Sequence, residues 1–203
     1  MRPSRFPRKA AVFMVLAAFG LMTQLASPAL AASERFVFDD THTDILFAVS
    51  HLGFSKTYGR FNRSEGLIVL DQSAPENSTV EVTIDASSID TNLEKRDDHL
   101  RGGDFFDVQA HPTITYKSTA VTLTGENKAN VTGNLTMLGV TKPVTLDVTL
   151  NKTGPSPASP DKIVAGFSAT ATLKRSDFGM TYGVPVLGDE VEMIFEIEAF
   201  KQP

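Results

Sequence analysis

Residues 191–200 read VEMIFEIEAF. Val191, Met193, Phe195 and Ile197 fall on one side of an extended chain, and Glu192, Glu196 and Glu198 fall on the other. Successive side chains of a strand point to opposite faces, so this spacing of two describes a strand that is dry on one face and wet on the other. The pattern recurs upstream. VEVTID sets Val80, Val82 and Ile84 against Glu81, Thr83 and Asp85, and TITYKS sets Ile114 and Tyr116 against Thr115 and Lys117. NVTGNLTM aligns Val131, Leu135 and Met137; PVTLDVTL aligns Val144, Leu146, Val148 and Leu150; IVAGFSATATLK aligns Ile163, Phe167, Ala169, Ala171 and Leu173.

Turn formers separate these runs: Gly125-Glu126-Asn127, Leu138-Gly139, and the proline-rich GPSPASP of residues 154–160, read as a plain hairpin loop. Connections this short join antiparallel neighbours. No internal repeat and no linker divides the chain, so one domain is expected. About eight to ten strands leave two all-β architectures, a two-sheet sandwich or an antiparallel up-and-down β-barrel. The inward set favours the barrel, because Phe47, Phe61, Phe167 and Phe195 alternate with Ala165, Ala169 and Ala171. Small side chains on one wall leave an internal apolar cavity, and a barrel of about eight strands has room for one ligand.

The first thirty-one residues have a different character. Arg2, Arg5, Arg8 and Lys9 precede an apolar run from Ala10 to Leu25, and Ala29-Leu30-Ala31 has the small-x-small pattern of a cleavage site. This is the pattern of a secretory signal peptide. A membrane anchor fits less well, since Gln24, Ser27 and Pro28 end the run short of the roughly 20 residues that span a bilayer. Residues 32–203 are therefore expected to form an exported domain, periplasmic or secreted. Cleavage near Ala31 takes away four basic side chains and no acid, moving the formal charge from −5 to −9. An acidic chain disfavours nucleic acid and anionic membrane surfaces as partners. With no cysteine, thiol catalysis, disulfides and cysteine metal sites are all excluded, and about 170 residues suffice for a single core held by burial alone.

The densest charge cluster is DTNLEKRDDHLRGGDFFD, residues 90–107. Thr91 and Glu94 match a capping box, Asp97 and Arg101 form an i,i+4 pair, and Gly102-Gly103 supplies a stop, which predicts a short helix from Asn92 to Arg101. So short a helix must dock, here through Leu93, Leu100, Phe105 and Phe106, with its charges mostly on a solvated face. A head-group or catalytic role for Arg96, His99 or Arg101 is the competing reading. Ser50-His51 are strand neighbours facing opposite ways, and no G-x-S-x-G elbow is present. His42, His51, His99 and His111 form no HxH or HxxxH pair, and adjacent acids on a helix diverge by about 100°. No catalytic residue and no metal ligand is assigned. In KRSDFGMTYG the strand period breaks after Leu173, and Phe178, Met180 and Tyr182 are read either as a plug of the core or as the lip of a ligand cavity.

Five segments in order, FDDTHTDILFAVSHLGFSKTYGRF, DASSIDTNLEKRDDHLRGGDFFD, HPTITYKS, GNLTMLGVTKPVTLDVTL and FSATATLKRSDFGM, resemble the YceI-like proteins of bacteria over about Phe36 to Phe200. The resemblance implies a lipocalin-like barrel with a short helix and a long apolar interior, exported to the periplasm or secreted. It implies a binder of a polyisoprenoid, isoprenoid quinone-like lipid or similar long amphiphile, serving transport, storage or stress response, often as a dimer. Neither an enzyme nor a catalytic cofactor is implied. The family's HLG-F-S element falls on His51 to Ser55, its R-x-x-H-L element with the following phenylalanines on Arg96, His99, Leu100, Phe105 and Phe106, and its S-D-F-G element on Ser176 to Gly179. On this footing the lipid-binding residues are expected to be Phe47, Val49, Phe54, Phe61, Leu100, Phe106, Ile114, Tyr116, Met137, Phe167, Phe178, Met180 and Phe195. His51, Arg96 and His99 are the head-group candidates. The alternative is a β-sandwich protein-interaction or stress module with a filled core and no lipid.

Overall fold

The computed structural model describes residues 33–203; the expected signal peptide lies outside the described residues. The strands are β1 (Glu34–His51), β2 (Ser55–Phe61), β3 (Ser64–Leu70), β4 (Thr79–Asp85), β5 (Ile89–Asp90), β6 (Thr113–Gly125), β7 (Lys128–Met137), β8 (Val140–Pro155), β9 (Ile163–Lys174) and β10 (Leu187–Lys201). One helix, α1 (Glu94–Arg101), follows β5. Neighbours run β1-β3-β4-β6-β7-β8-β9-β10, and β10 pairs back onto β1, so eight antiparallel strands close into a barrel. Closure removes the open edges that a sandwich would keep. The sandwich alternative is thereby corrected: one continuous sheet wraps a single interior.

β1 serves two neighbours in turn. Glu34–Val37 pair with β3, and Ile45–His51 pair with β2. Between them the chain bulges: Phe38 opposes Ala199 on β10, yet the next partners are Thr43 and Ile197. Extra residues on one strand shift its alternation, so the inward side chains change from Phe36 and Phe38 to Ile45, Phe47 and Val49. Asp39 stabilises the bulge by accepting hydrogen bonds from the Thr41 amide (3.0 Å) and hydroxyl (2.7 Å) and by pairing with His42 Nδ1 (2.8 Å). Burial opposes its ionisation, but these bonds outweigh burial and hold the carboxyl below its usual range. β6 carries a second irregularity between Ser118 and Ala120, after which Val121 and Leu123 take the inward positions held above by Ile114 and Tyr116.

Three inward glycines lie beneath aromatic rings of adjacent strands. A methyl group at Gly59 would overlap the Phe47 ring, and one at Gly66 the Phe38 ring. At Gly133 it would stand 2.5 Å from the ring of Tyr116. Glycine is used here for space, allowing large rings to lie along the wall.

The outer face carries Glu, Lys and Thr side chains, with Lys56 paired to Glu192 and Lys117 to Glu81 at 2.6 Å each. Membrane barrels present an apolar band there instead. No helix among the described residues is long and apolar enough to cross a membrane.

The charged stretch departs from expectation in detail. α1 begins at Glu94, with Leu93 as its N-cap and no side-chain cap. Thr91 forms no capping box, because its amide and hydroxyl donate to Asp97 Oδ1 at 2.9 and 2.5 Å. That bonding explains why Asp97 is almost wholly buried rather than solvated. Arg101 pairs not with Asp97 but with Glu94 and Asp98, both at 3.1 Å, and donates to the carbonyls of Ser87 and Ile89. Leu93 is 53% exposed, so docking falls to Leu100, Phe105 and Phe106.

Candidate ligand-binding cavity

The inward alternation of the strands does not fill the barrel. A cavity of about 660 Å³ remains, lined almost entirely by hydrocarbon. Its wall can be followed strand by strand. Phe47 and Val49 come from β1, Phe61 from β2, Ile114 and Tyr116 from β6, Met137 from β7, Phe167 from β9 and Phe195 from β10. The edge of β2 away from β1 pairs only with the two residues of β5, and there Leu100 of α1 and Phe106 of the following turn supply the wall. Phe106 meets Phe61 edge-on at 5.6 Å between centroids, and Phe61 meets Phe47 at 5.7 Å.

Two candidates are elsewhere. Phe54 is 90% exposed. Leu52 (φ 55°) and Gly53 (φ 75°) make a tight turn between β1 and β2, closed by the Phe54 amide donating to the His51 carbonyl at 3.0 Å, and this projects Phe54 beyond the wall. Phe178 is buried but does not line the cavity: it packs in a 3-10 turn of residues 175–178, and the left-handed Gly179 redirects the chain so that Met180 reaches the cavity instead. Of the plug and lip readings of this segment, Phe178 takes the first role and Met180 and Tyr182 the second.

His51, Arg96 and His99 all line the cavity. Arg96 donates from Nε to the Thr91 hydroxyl and from Nη2 to the Thr91 carbonyl, both at 2.6 Å. The same hydroxyl donates to buried Asp97, so the carboxylate orients Arg96 through Thr91 without touching it. Among the described residues no carboxylate lies within ion-pair distance of Arg96, and Nη1 has no protein acceptor. His99 Nε2 is 2.9 Å from Asp104, and its ring packs edge-on against Phe105 and Tyr182 at 5.0 and 5.1 Å.

Sequence reading did not single out Arg175, which positions the loop carrying Met180 and Tyr182. It is buried, and its guanidinium donates to the carbonyls of Gly188 (2.8 Å), Met180 (3.0 Å), Tyr182 (2.9 Å) and Leu187 (3.2 Å). Burial pushes its pKa down, partly offset by Asp189. Nothing in KRSDFG distinguishes it from a surface cation. Tyr116 lies across the wall with its hydroxyl donating to the Val131 carbonyl at 2.8 Å, and burial pushes its pKa up to about 12.

Comparison with known proteins agrees with this architecture. The model of the YceI-like domain matches residues 36–199. The chain belongs to the YceI-like family. A UPF0312 protein of Pseudomonas aeruginosa is 42% identical over 189 residues, covering 92% of this chain and 97% of that protein. Among solved structures, BcnA of Burkholderia cenocepacia superposes with a TM-score of 0.72 at 27% identity, covering 79% of this chain and 98% of BcnA. A polyisoprenoid binding domain from Saccharophagus degradans, implicated in plant cell wall breakdown, has the same fold at a TM-score of 0.61 and 17% identity, covering 84% and 99% of the two chains. The YceI-like barrel is therefore shared well beyond recognisable sequence identity.

Proposed function

We propose that this YceI-like protein is an exported, non-catalytic carrier that holds the chain of an isoprenoid lipid or similar long amphiphile inside its barrel. One observation carries the reading: a continuous, almost wholly hydrocarbon surface lines a cavity of about 660 Å³ inside the barrel. Each methylene moved from water into such a surface gains about 0.8 kcal/mol, so about ten buried carbons supply roughly 8 kcal/mol before ordering costs. Phe47, Phe61, Ile114, Phe167 and Phe195 are the hydrocarbon wall in this reading. Arg96 takes the polar head, because its Nη1 is the donor left without a protein acceptor and Asp97 holds it in place through Thr91. An acceptor-rich head, carbonyl or phosphate, suits that donor. Export rests on the basic start, apolar run and Ala29-Leu30-Ala31 of the first thirty-one residues.

The test is native mass spectrometry of protein purified without detergent, followed by solvent extraction. A stoichiometric apolar adduct is expected. A bare mass, together with no saturable binding of a long-chain fluorescent probe, would overturn the carrier reading.

A further inference from the structure

Among the described residues, four of the eight large apolar side chains that remain exposed belong to two adjacent loops at one end of the barrel. Leu52 (45%) and Phe54 (90%) sit on the β1–β2 turn, and Tyr182 (46%) and Val186 (64%) on the loop before β10. The two loops leave the wall side by side, since His51 pairs with Leu187. Neither tip carries a charge: residues 52–55 read LGFS and residues 181–188 read TYGVPVLG. Both are continuous with the cavity, because His51, Tyr182 and Leu187 line it.

The lysine that follows the β1–β2 turn is neutralised. Lys56 is paired with Glu192 at 2.6 Å, and His99 lies 2.9 Å from Asp104. The tip is thus apolar at its apex, and the lysine beside it offers no free charge to an anionic surface. We infer that this end of the barrel docks on the neutral surface of a phospholipid bilayer, inserting Phe54 and Val186 so that the cavity opens directly onto the hydrocarbon that supplies its ligand.

The inference rests on the carrier reading for its purpose, and on the exposed tip for its surface. A ligand that gains about 0.8 kcal/mol per buried methylene loses the same on entering water, so exchange through solvent is slow. A mouth seated on the bilayer removes that crossing. Side chains at the interface insert about 5–10 Å, a depth suited to loop tips, and aromatic side chains concentrate there. A second copy of the chain is the other candidate occupant. The four side chains expose on the order of 400 Å², against about 800 Å² per partner in a standard stable interface.

The experiment is flotation of the purified protein with phosphatidylcholine vesicles, comparing the native chain with a Phe54→Ser, Val186→Ser double variant. Both positions are exposed, so thermal unfolding should be unchanged. The native chain should float, and the variant should bind about tenfold more weakly or worse. The chain has no tryptophan. Phe54→Trp therefore installs a unique fluorophore whose emission should shift to the blue on vesicles and be quenched by shallow spin-labelled lipid. Added anionic lipid should not strengthen binding. Native protein that stays below the vesicles, equal flotation of both forms, or an unshifted emission would overturn the inference. So would a drop in sedimentation coefficient from dimer to monomer in the double variant, which would assign the tip to a second copy. Retention of a long-chain probe without vesicles is measured in parallel: its absence sinks the carrier reading alone, and its presence without flotation sinks the docking alone.

Discussion

Ala165 and Ala169 lie on the same inner face of β9, two periods of the alternation apart with Phe167 between them. Ala165 is wholly buried in a cluster with Phe36, Ile68, Leu70 and Ala199, at the end of the barrel where β10 finishes. Ala169 faces the cavity. In the first place a small side chain makes room for a large one from across the barrel; in the second the room is left open. Close-packed interiors have few voids larger than water, so an apolar void of hundreds of cubic ångströms between well-packed strands is a feature the side chains maintain. The packed corner holds the fold, and the open part is available to a ligand.

The largest expected difference between the two regions is in truncation. Phe36→Ala removes a ring with no exposed surface and should cost about 3–5 kcal/mol in urea unfolding. Phe195→Ala removes a ring that already borders empty space, so much of the packing loss is absent and about 1–2 kcal/mol is expected in ligand-free protein. Equal losses would mean that the cavity wall is as tightly packed as the corner, which would break the comparison.

Tyr116 asks whether the open part is dry. Its folded-state pKa of about 12 lies above the ordinary value near 10, so the folded protein holds the phenol proton more tightly than the unfolded chain does. The corresponding stability is complete below pH 10 and is lost as pH rises through 12, a change of about 2–3 kcal/mol. Urea unfolding of the native chain should weaken over that window more than unfolding of Tyr116→Phe. Parallel pH curves for the two would show that water reaches the phenol, and the cavity with it.

Most of the barrel was legible because long stretches of β7 to β10 alternate strictly; VEMIFEIEAF and PVTLDVTL state their inner faces directly. The strands that bulge were harder. In FDDTHTDILF the change of parity at Asp39 to His42 hides the continuity of a single strand, and only the partner strand, which pairs Ala199 and then Ile197, reveals it. Wall residues on regular strands were accordingly readable, whereas Phe54 and Phe178 were misplaced where left-handed turns at Leu52-Gly53 and Gly179 decide which side chain faces inward. The buried polar groups were least legible. Asp97 and Arg175 look like surface charges in sequence because their partners, Thr91 and four loop carbonyls, are brought to them by folding.

The smallest expected effect on stability is the most informative about function. Ala169→Phe adds a ring to a wall that has space before it, so the overpacking penalty of about 1–3 kcal/mol typical of filled cores should shrink below about 1 kcal/mol. The same ring occupies volume that a ligand chain needs, and retention of a long-chain fluorescent probe should fall about tenfold or more. Ala165→Phe supplies the contrast, since the packed corner has no such space and the variant should lose stability outright. If Ala169→Phe unfolds as readily as Ala165→Phe, the two regions are packed alike. If it folds and still holds the probe as the native chain does, the ligand lies elsewhere than along β9. Only a folded variant with impaired retention places the bound chain against Ala169.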